Sequence, residues 1–238
     1  MKPQIIPMGG AALPEALDNL LLIEYFARQT GKRSPRVCFI AAASGDVDEY
    51  IVRFYAGFNH IGCRPAHLPL FKRTPRALRE FVLGFDAIFV GGGNTRSMLA
   101  VFREWKLDRY LREAWRRGIV LGGASAGAIC WFEDGLTDSV AGPLTRMRCL
   151  GLLAGGCAPH YDSEPARRPT LHRLVGRGTM RTSVAADDGV ALHYVGTRLV
   201  RAVSARGNAR AYRVTRSRDG VVEQALPTRL LGAARNNR

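Results

Sequence analysis

Residues 118–127 read Gly-Ile-Val-Leu-Gly-Gly-Ala-Ser-Ala-Gly, a short apolar run that enters a glycine-flanked turn with Ser125 at its tip. Gly123, Ser125 and Gly127 match Gly-x-Ser-x-Gly, the signature of a sharp strand-to-helix turn that presents a serine hydroxyl as a nucleophile. Small neighbours let the backbone fold back on itself there. The pattern also fits an ordinary βα turn, so the remaining residues have to decide. A nucleophilic serine needs a base, an acid that orients the base, and donors for the oxyanion. The Ala126 N–H, directly after the serine, is one natural donor. Gly91-Gly92-Gly93 offers a second, and Gly92 is the favoured residue, because glycine lets a backbone approach a substrate closely. The triple glycine continues Asn94-Thr95-Arg96-Ser97. It therefore lacks both the Gly-Lys-Ser ending of a phosphate loop and the Gly-x-Gly-x-x-Gly spacing of a dinucleotide site.

Five histidines compete for the base. His60, His67, His172 and His193 fall in helix or strand contexts. His160 lies in the polar loop Ala-Pro-His-Tyr-Asp-Ser-Glu-Pro from Ala158, and loops on rigid scaffolds carry catalytic groups disproportionately. The acid is open between Asp138, Asp187, Asp188 and Glu164, each of which also reads as a turn or surface carboxylate.

These residues need a scaffold, and the hydrophobic pattern supplies one. Gln4 to Met8, Arg36 to Ala42, Pro65 to Leu70, Asp86 to Val90 and Ile119 to Leu121 read as strands. Pro14 to Gln29, Asp48 to His60, Thr74 to Leu83 and Thr95 to Trp115 read as helices between them, the last as one or two. Continuous apolar strands separated by helices predict a parallel sheet covered on both faces, an α/β fold. Such sheets bind ligands beyond the carboxyl ends of their strands, where both glycine-rich turns fall. Pro169 to Val175 looks helical. The last third changes character: Val184 to Ala186, Ala191 to Val195, Arg198 to Ser204, Ala211 to Arg216 and Val221 to Ala225 are short β-like runs between turn signals. They predict C-terminal antiparallel hairpins at the edge of the same domain. A single domain over 1–238 follows, with a frayed tail over 227–238.

Composition narrows the function classes. Hydrophobic residues make up 47% of the 238, enough for a substantial core. No apolar stretch is long enough to span a membrane, and the N-terminus lacks a signal-peptide core. The five cysteines have no Cys-x-x-Cys pair; free thiols in a reducing cytoplasm are expected, with neither a disulfide framework nor a zinc site. No metal and no other cofactor is expected. The net charge of +15 raises nucleic acid as a partner. No basic run interleaved with aromatics supports that, so the expectation is no nucleic acid and a cationic mouth that attracts acidic peptides.

Several ordered motifs then coincide. Leu-Gly-Gly-Ala-Ser-Ala-Gly-Ala from Leu121, Phe-Val-Gly-Gly-Gly-Asn-Thr from Phe89, and Pro-His-Tyr-Asp from Pro159 resemble the peptidase E family of α-aspartyl dipeptidases, related to the cyanophycinases. Ala-Ala-Ala-Ser-Gly-Asp from Ala41 and Asp-Glu-Tyr-Ile-Val-Arg-Phe-Tyr from Asp48 resemble a bacterial branch of it. The resemblance runs from about Gln4 to Tyr212. It implies a three-layer fold like that of class I glutamine amidotransferases, with serine in place of cysteine. It implies Ser125 as nucleophile, His160 as base and oxyanion donors from Gly92 and Ala126. For the acid, the dipeptidase pattern maps onto Asp138 and the cyanophycinase pattern most nearly onto Asp188, so Asp138 ranks first. The dipeptidases carry a substrate-binding arginine after the histidine, and Arg167 or Arg168 is the match. The expected activity is hydrolysis of small peptides, chiefly dipeptides with N-terminal aspartate, in a cytoplasmic enzyme that can form a homodimer. The alternatives are a silent member that binds an amino-acid-like ligand, or an amidase or glutaminase-like hydrolase.

Overall fold

The computed structural model describes residues 2–13 and 19–232. In chain order the elements are β1 (Gln4–Met8), α1 (Leu21–Arg28), β2 (Arg36–Ile40), α2 (Asp48–His60), β3 (Arg64–His67), α3 (Leu78–Leu83), β4 (Ala87–Val90), α4 (Thr95–Glu104), α5 (Leu107–Arg116) and β5 (Val120–Ala124). They continue with α6 (Ala126–Ile129), β6 (Phe132–Thr137), β7 (Thr145–Arg148), β8 (Leu153–Ala158), α7 (Arg167–Gly176) and β9 (Ser183–Ala186). The chain closes with β10 (Val190–Val195), β11 (Arg198–Ser204), β12 (Ala211–Ser217), β13 (Gly220–Leu226) and β14 (Thr228–Leu230).

An eight-stranded sheet runs in the order β14-β11-β10-β1-β5-β4-β2-β3. Its β1-β5-β4-β2-β3 half is parallel. Alternation along the strands explains why helices cover both faces. On β2, Val37 and Phe39 enter a core with Phe26 of α1 and Phe54 and Phe58 of α2. Cys38 and Ile40 enter the opposite core, with Met98, Phe102 and Leu111 from α4 and α5. The Phe39 and Phe54 rings stack at 4.6 Å. At Gly122 the face of β5 toward α1 has no room for a side chain: a Cβ there would lie 2.6 Å from the Phe26 ring.

The predicted parallel strands and flanking helices are present, with shifted ends. Of the helix expected over Pro14 to Gln29, residues 14–18 lie outside the described residues, and α1 begins at Leu21. The strand read as Pro65 to Leu70 ends at His67, because the Leu70 and Phe71 N–H groups turn to the Asp46 carboxylate, at 2.6 and 3.1 Å. The helix read from Thr74 begins at Leu78, since a residue before proline disfavours helical backbone. Lys106, at φ 55°, separates α4 from α5.

A second sheet, β13-β12-β9-β8-β6-β7, was not anticipated. Its β6, β8 and β9 are mutually parallel, and α7 packs on it through Leu171, Leu174 and Val175. Gly135, Gly155, Gly156 and the Glu133-Asp134 pair interrupt the apolar pattern of β6 and β8 and hide them from periodicity. The C-terminal hairpins divide between the sheets. The pair β10–β11 extends the first sheet antiparallel to β1, and β12–β13 joins the second. Within the tail expected to fray from 227, Thr228–Leu230 forms β14 on β11, and 233–238 lie outside the described residues.

On β10 the buried His193 is pinned between the Tyr25 hydroxyl (2.7 Å from Nδ1) and Gln4 Oε1 (2.8 Å from Nε2). Burial and the nearby Arg201 guanidinium push its pKa down to about 4 from 6.5, so the imidazole is neutral. The unfolded chain therefore binds this proton first on acidification. The stability that His193 contributes is complete above pH ~6.5 and declines as the pH falls toward 4, by about 3 kcal/mol in all. Denaturant melts between pH 7 and 4 should show this decline, and His193→Gln should flatten it. An unchanged pH slope in that variant would refute the assignment.

Candidate active site

Five strand ends converge on one point. Ser125 follows β5 and adopts φ 55° and ψ −114°, a backbone that L-residues rarely hold. Its N–H donates to the Met8 carbonyl at the end of β1 (3.2 Å). The flanking glycines are required by space: a Cβ on Gly127 would lie 2.0 Å from the Val90 carbonyl oxygen at the end of β4, and one on Gly123 2.3 Å from the same atom. His160 follows β8, also at positive φ, with its N–H donating to the Gly9 carbonyl (3.1 Å). Asp188 follows β9, the parallel neighbour of β8.

The three side chains form a continuous chain. Ser125 Oγ lies 2.9 Å from His160 Nε2, and His160 Nδ1 lies 2.7 Å from Asp188 Oδ1. Hydrogen bonds from His160 and Ser163 and the positive Arg206 hold the Asp188 carboxyl below the usual carboxylate range, against its partial burial. An ionised Asp188 can only accept, so Nδ1 carries the imidazole proton and Nε2 is left to accept from the serine hydroxyl. The backbone that carries this carboxylate is itself braced. Asp162 Oδ1 accepts the Asp188 N–H (2.8 Å), and Arg206 Nη1 donates to Asp162 Oδ2 and to the Asp188 carbonyl, both at 3.0 Å.

Asp138, ranked first as the acid, is not in this chain. Both candidates follow strands that flank β8, β6 on one side and β9 on the other, so strand order could not choose between them. The Asp138 side chain is 65% exposed and lies 3.9 Å from Arg167 Nη2, whereas that of Asp188 is 20% exposed and faces the imidazole. Asp187 turns away, its Oδ2 accepting the Arg210 N–H (2.8 Å), and Glu164 pairs with Arg167 Nε (2.8 Å).

The two arginines expected to meet substrate are engaged elsewhere. Arg167 is buried, donating to Glu164 and to the Leu136 carbonyl (3.0 Å), and ties the start of α7 to β6. Arg168 pairs with Glu223 and lies over the rings of Tyr161 and Tyr212, at 4.6 and 4.7 Å. Neither lines the cleft of about 360 Å³ that opens over Ser125 and His160. Its walls are Gly10 to Leu13 after β1, and Val47, Glu49, Tyr50 and Arg53 at the start of α2. The expected donor Gly92 gives its N–H to the Tyr50 hydroxyl at 3.1 Å. Ala126 is the first residue of α6, where an N–H has no partner within the helix.

Sequence reasoning missed Gly10, Tyr50 and Arg53. A Cβ on Gly10 would fall 2.0 Å from Asp188 Oδ1 and 2.5 Å from His160 Cε1, so the histidine and aspartate can meet only past a bare backbone. The signal was a glycine pair at a strand's carboxyl end. Tyr50 and Arg53 are one turn apart on a helix that read as merely amphipathic. Among the described residues no group of three or more His, Cys, Asp or Glu could hold a metal ion.

A serine hydroxyl on an imidazole backed by a carboxylate, at the strand ends of a three-layer α/β fold, is an arrangement suited to acyl transfer. The family model for peptidase family S51 matches residues 5–201, and the chain belongs to that family, which makes it a serine peptidase of the peptidase E type. It is 49% identical over 229 residues to the "Uncharacterized peptidase YgaJ" of Bacillus subtilis, covering 96% of this chain and 99% of that protein. A peptidase from an acI-B1 actinobacterium has a similar fold, with a TM-score of 0.71 at 18% identity over 96% of this chain and 95% of the other. So does a putative peptidase E from Listeria monocytogenes, with a TM-score of 0.61 at 17% identity over 95% of this chain and all of the other.

The geometry separates the candidate acids by experiment. Asp188→Asn should lower kcat by ~10⁴, the scale seen when the acid of such a triad is neutralised, with the fold retained. Asp138→Asn should stay near wild type. Steady-state peptide hydrolysis with both variants checks this, and the reverse ranking would restore Asp138.

Proposed function

We propose that this serine peptidase hydrolyses small peptides, chiefly dipeptides with an N-terminal aspartate, through an acyl-enzyme on Ser125. The observation that carries the mechanism is the chain Ser125–His160–Asp188 at 2.9 and 2.7 Å. In this reading Ser125 Oγ attacks the scissile carbonyl carbon and its proton passes to His160 Nε2. The carbonyl oxygen takes the electron pair and meets the Ala126 N–H. Collapse of the tetrahedral intermediate breaks the C–N bond, and His160 returns the proton to the leaving amine. Water then repeats the sequence on the ester. Asp188 holds the imidazole in the tautomer this requires and stabilises the imidazolium.

The cleft supports a short, acidic substrate. Its volume of about 360 Å³ suits a dipeptide better than a chain. Arg53 stands in its wall, paired with Glu49 one turn back on α2. Arg167 and Arg168 lie outside the cleft wall, whereas Arg53 lines it and is the guanidinium placed to meet a substrate carboxylate, its planar fork matching the two oxygens. Free thiols at all five cysteines suit a reducing cytoplasm. No helix among the described residues is long and apolar enough to cross a membrane.

Ser125→Ala should abolish turnover while leaving the fold intact. A charge-assisted contact of ~1.5–3 kcal/mol corresponds to roughly 10–150-fold in rate. Aspartyl dipeptides should therefore be cleaved faster than asparaginyl ones of the same shape by about that factor. Arg53→Gln should erase the difference and Arg53→Lys should narrow it. Equal kcat/KM on the two series in the wild type, unchanged at position 53, would leave a peptidase without this preference.

A further inference from the structure

The Tyr50–Gly92 contact gives the cleft a group that the triad does not account for. A backbone N–H that points at an acceptor 3.1 Å away is not an idle donor awaiting substrate. Yet a phenol that accepts one hydrogen bond keeps its own proton to give. Among the described residues no group accepts that proton. The residue that binds the hydroxyl packs against the nucleophile: a Cβ on Gly92 would be 3.2 Å from Ser125 Cβ, and Tyr50 and Ser125 line the same cleft. We propose that the Tyr50 hydroxyl donates a hydrogen bond to the oxyanion formed at Ser125, alongside the Ala126 N–H and in the place expected of the Gly92 N–H. This rests on the reading of Ser125 as the nucleophile.

Three features suit Tyr50 to the task. Its ring is fixed before substrate arrives, edge-on to Phe39 at 5.1 Å and so close to Gly91 that a Cβ there would lie 2.9 Å from Tyr50 Cε1. Donors held in place stabilise developing charge without reorganising during the reaction. The Gly92 N–H polarises the phenol oxygen and strengthens its O–H as a donor, since hydrogen bonds in series reinforce each other. Burial pushes the phenol pKa up, so the proton stays on the oxygen at neutral pH. The charged or titratable groups that share its cleft are Glu49 and Arg53 on its own helix and His160 across the cleft. No proton leaves Tyr50: it donates a hydrogen bond while the carbonyl oxygen is negative and recovers the free hydroxyl when the C–N bond breaks.

The test compares Tyr50→Phe with wild type on an aspartyl dipeptide and on an aspartyl aldehyde, which forms a hemiacetal with the serine. Loss of one oxyanion donor costs roughly 10²–10³ in kcat. We expect that fall with KM changed less than about threefold, and a comparable loss of affinity for the aldehyde but not for free aspartate. An unchanged or raised kcat would overturn the proposal and make the hydroxyl a placeholder that substrate displaces from Gly92. Parallel losses in kcat, KM and aspartate affinity would overturn it as well and leave Tyr50 as cleft wall. A second variant keeps both ring and hydroxyl: 3,5-difluorotyrosine at position 50, whose phenol ionises at lower pH than that of tyrosine. Its activity should collapse as the pH rises through that ionisation, and a profile identical to wild type would count against donation. Activity retained in Ser125→Ala would instead sink the nucleophile itself, a result independent of how Tyr50→Phe behaves.

Discussion

The site depends on a steric constraint at the end of β5. Ser125 is held at φ 55° and ψ −114° because the chain on both sides of it touches the Val90 carbonyl oxygen, leaving no space for a side chain at Gly123 or Gly127. A non-glycine residue in such a conformation costs on the order of 1–3 kcal/mol and persists only where its surroundings over-determine it. Here both cores of the large sheet do so. Phe26 presses on Gly122 from one side, and buried Ile129, Cys130 and Trp131 anchor α6 and the turn after it on the other. The backbone strain and the exposure of the hydroxyl are two aspects of one turn.

The second sheet completes what that turn begins. Its parallel strands β8 and β9 bring the histidine and the aspartate to the level at which β1, β4 and β5 end. Two glycines of the loop after β1 join the sheets: Gly9 accepts the His160 N–H, and the Gly10 carbonyl accepts the Gly189 N–H beside Asp188 (both 3.1 Å). The His160–Asp188 pair is thus located by backbone contacts to the first sheet. The Asp162–Arg206 pair then holds the Asp188 backbone through its N–H and carbonyl.

Much of this was legible in the chain. The parallel strands carry unbroken apolar runs, the serine turn carries its glycines, and His160 sits in a polar loop after a strand. The choice between Asp138 and Asp188 was not legible, because both follow strands adjacent to β8 and differ only in where their side chains turn. The Asp138 side chain is exposed near Arg167 while that of Asp188 meets the imidazole, and nothing local in sequence encodes that. The partners of the arginines after the histidine were hidden for a related reason. Their positions suited substrate binding, but Glu164, the Leu136 carbonyl and Glu223 claim them, and Glu223 is more than fifty residues distant in the chain. Strands β6 and β8 escaped notice because glycines and acids break their apolar rhythm.

The site draws on residues from Gly10 to Asp188, supplied by five strand ends in two sheets. No fragment of the chain, and no intermediate with only one sheet assembled, can place the imidazole between serine and carboxylate. A growing chain on the ribosome must extend well past Asp188, so that β9 can pair with β8 and β12, before it could hydrolyse anything. The serine–histidine–carboxylate arrangement therefore emerges only with completed folding. Topology alone keeps these three side chains apart during synthesis.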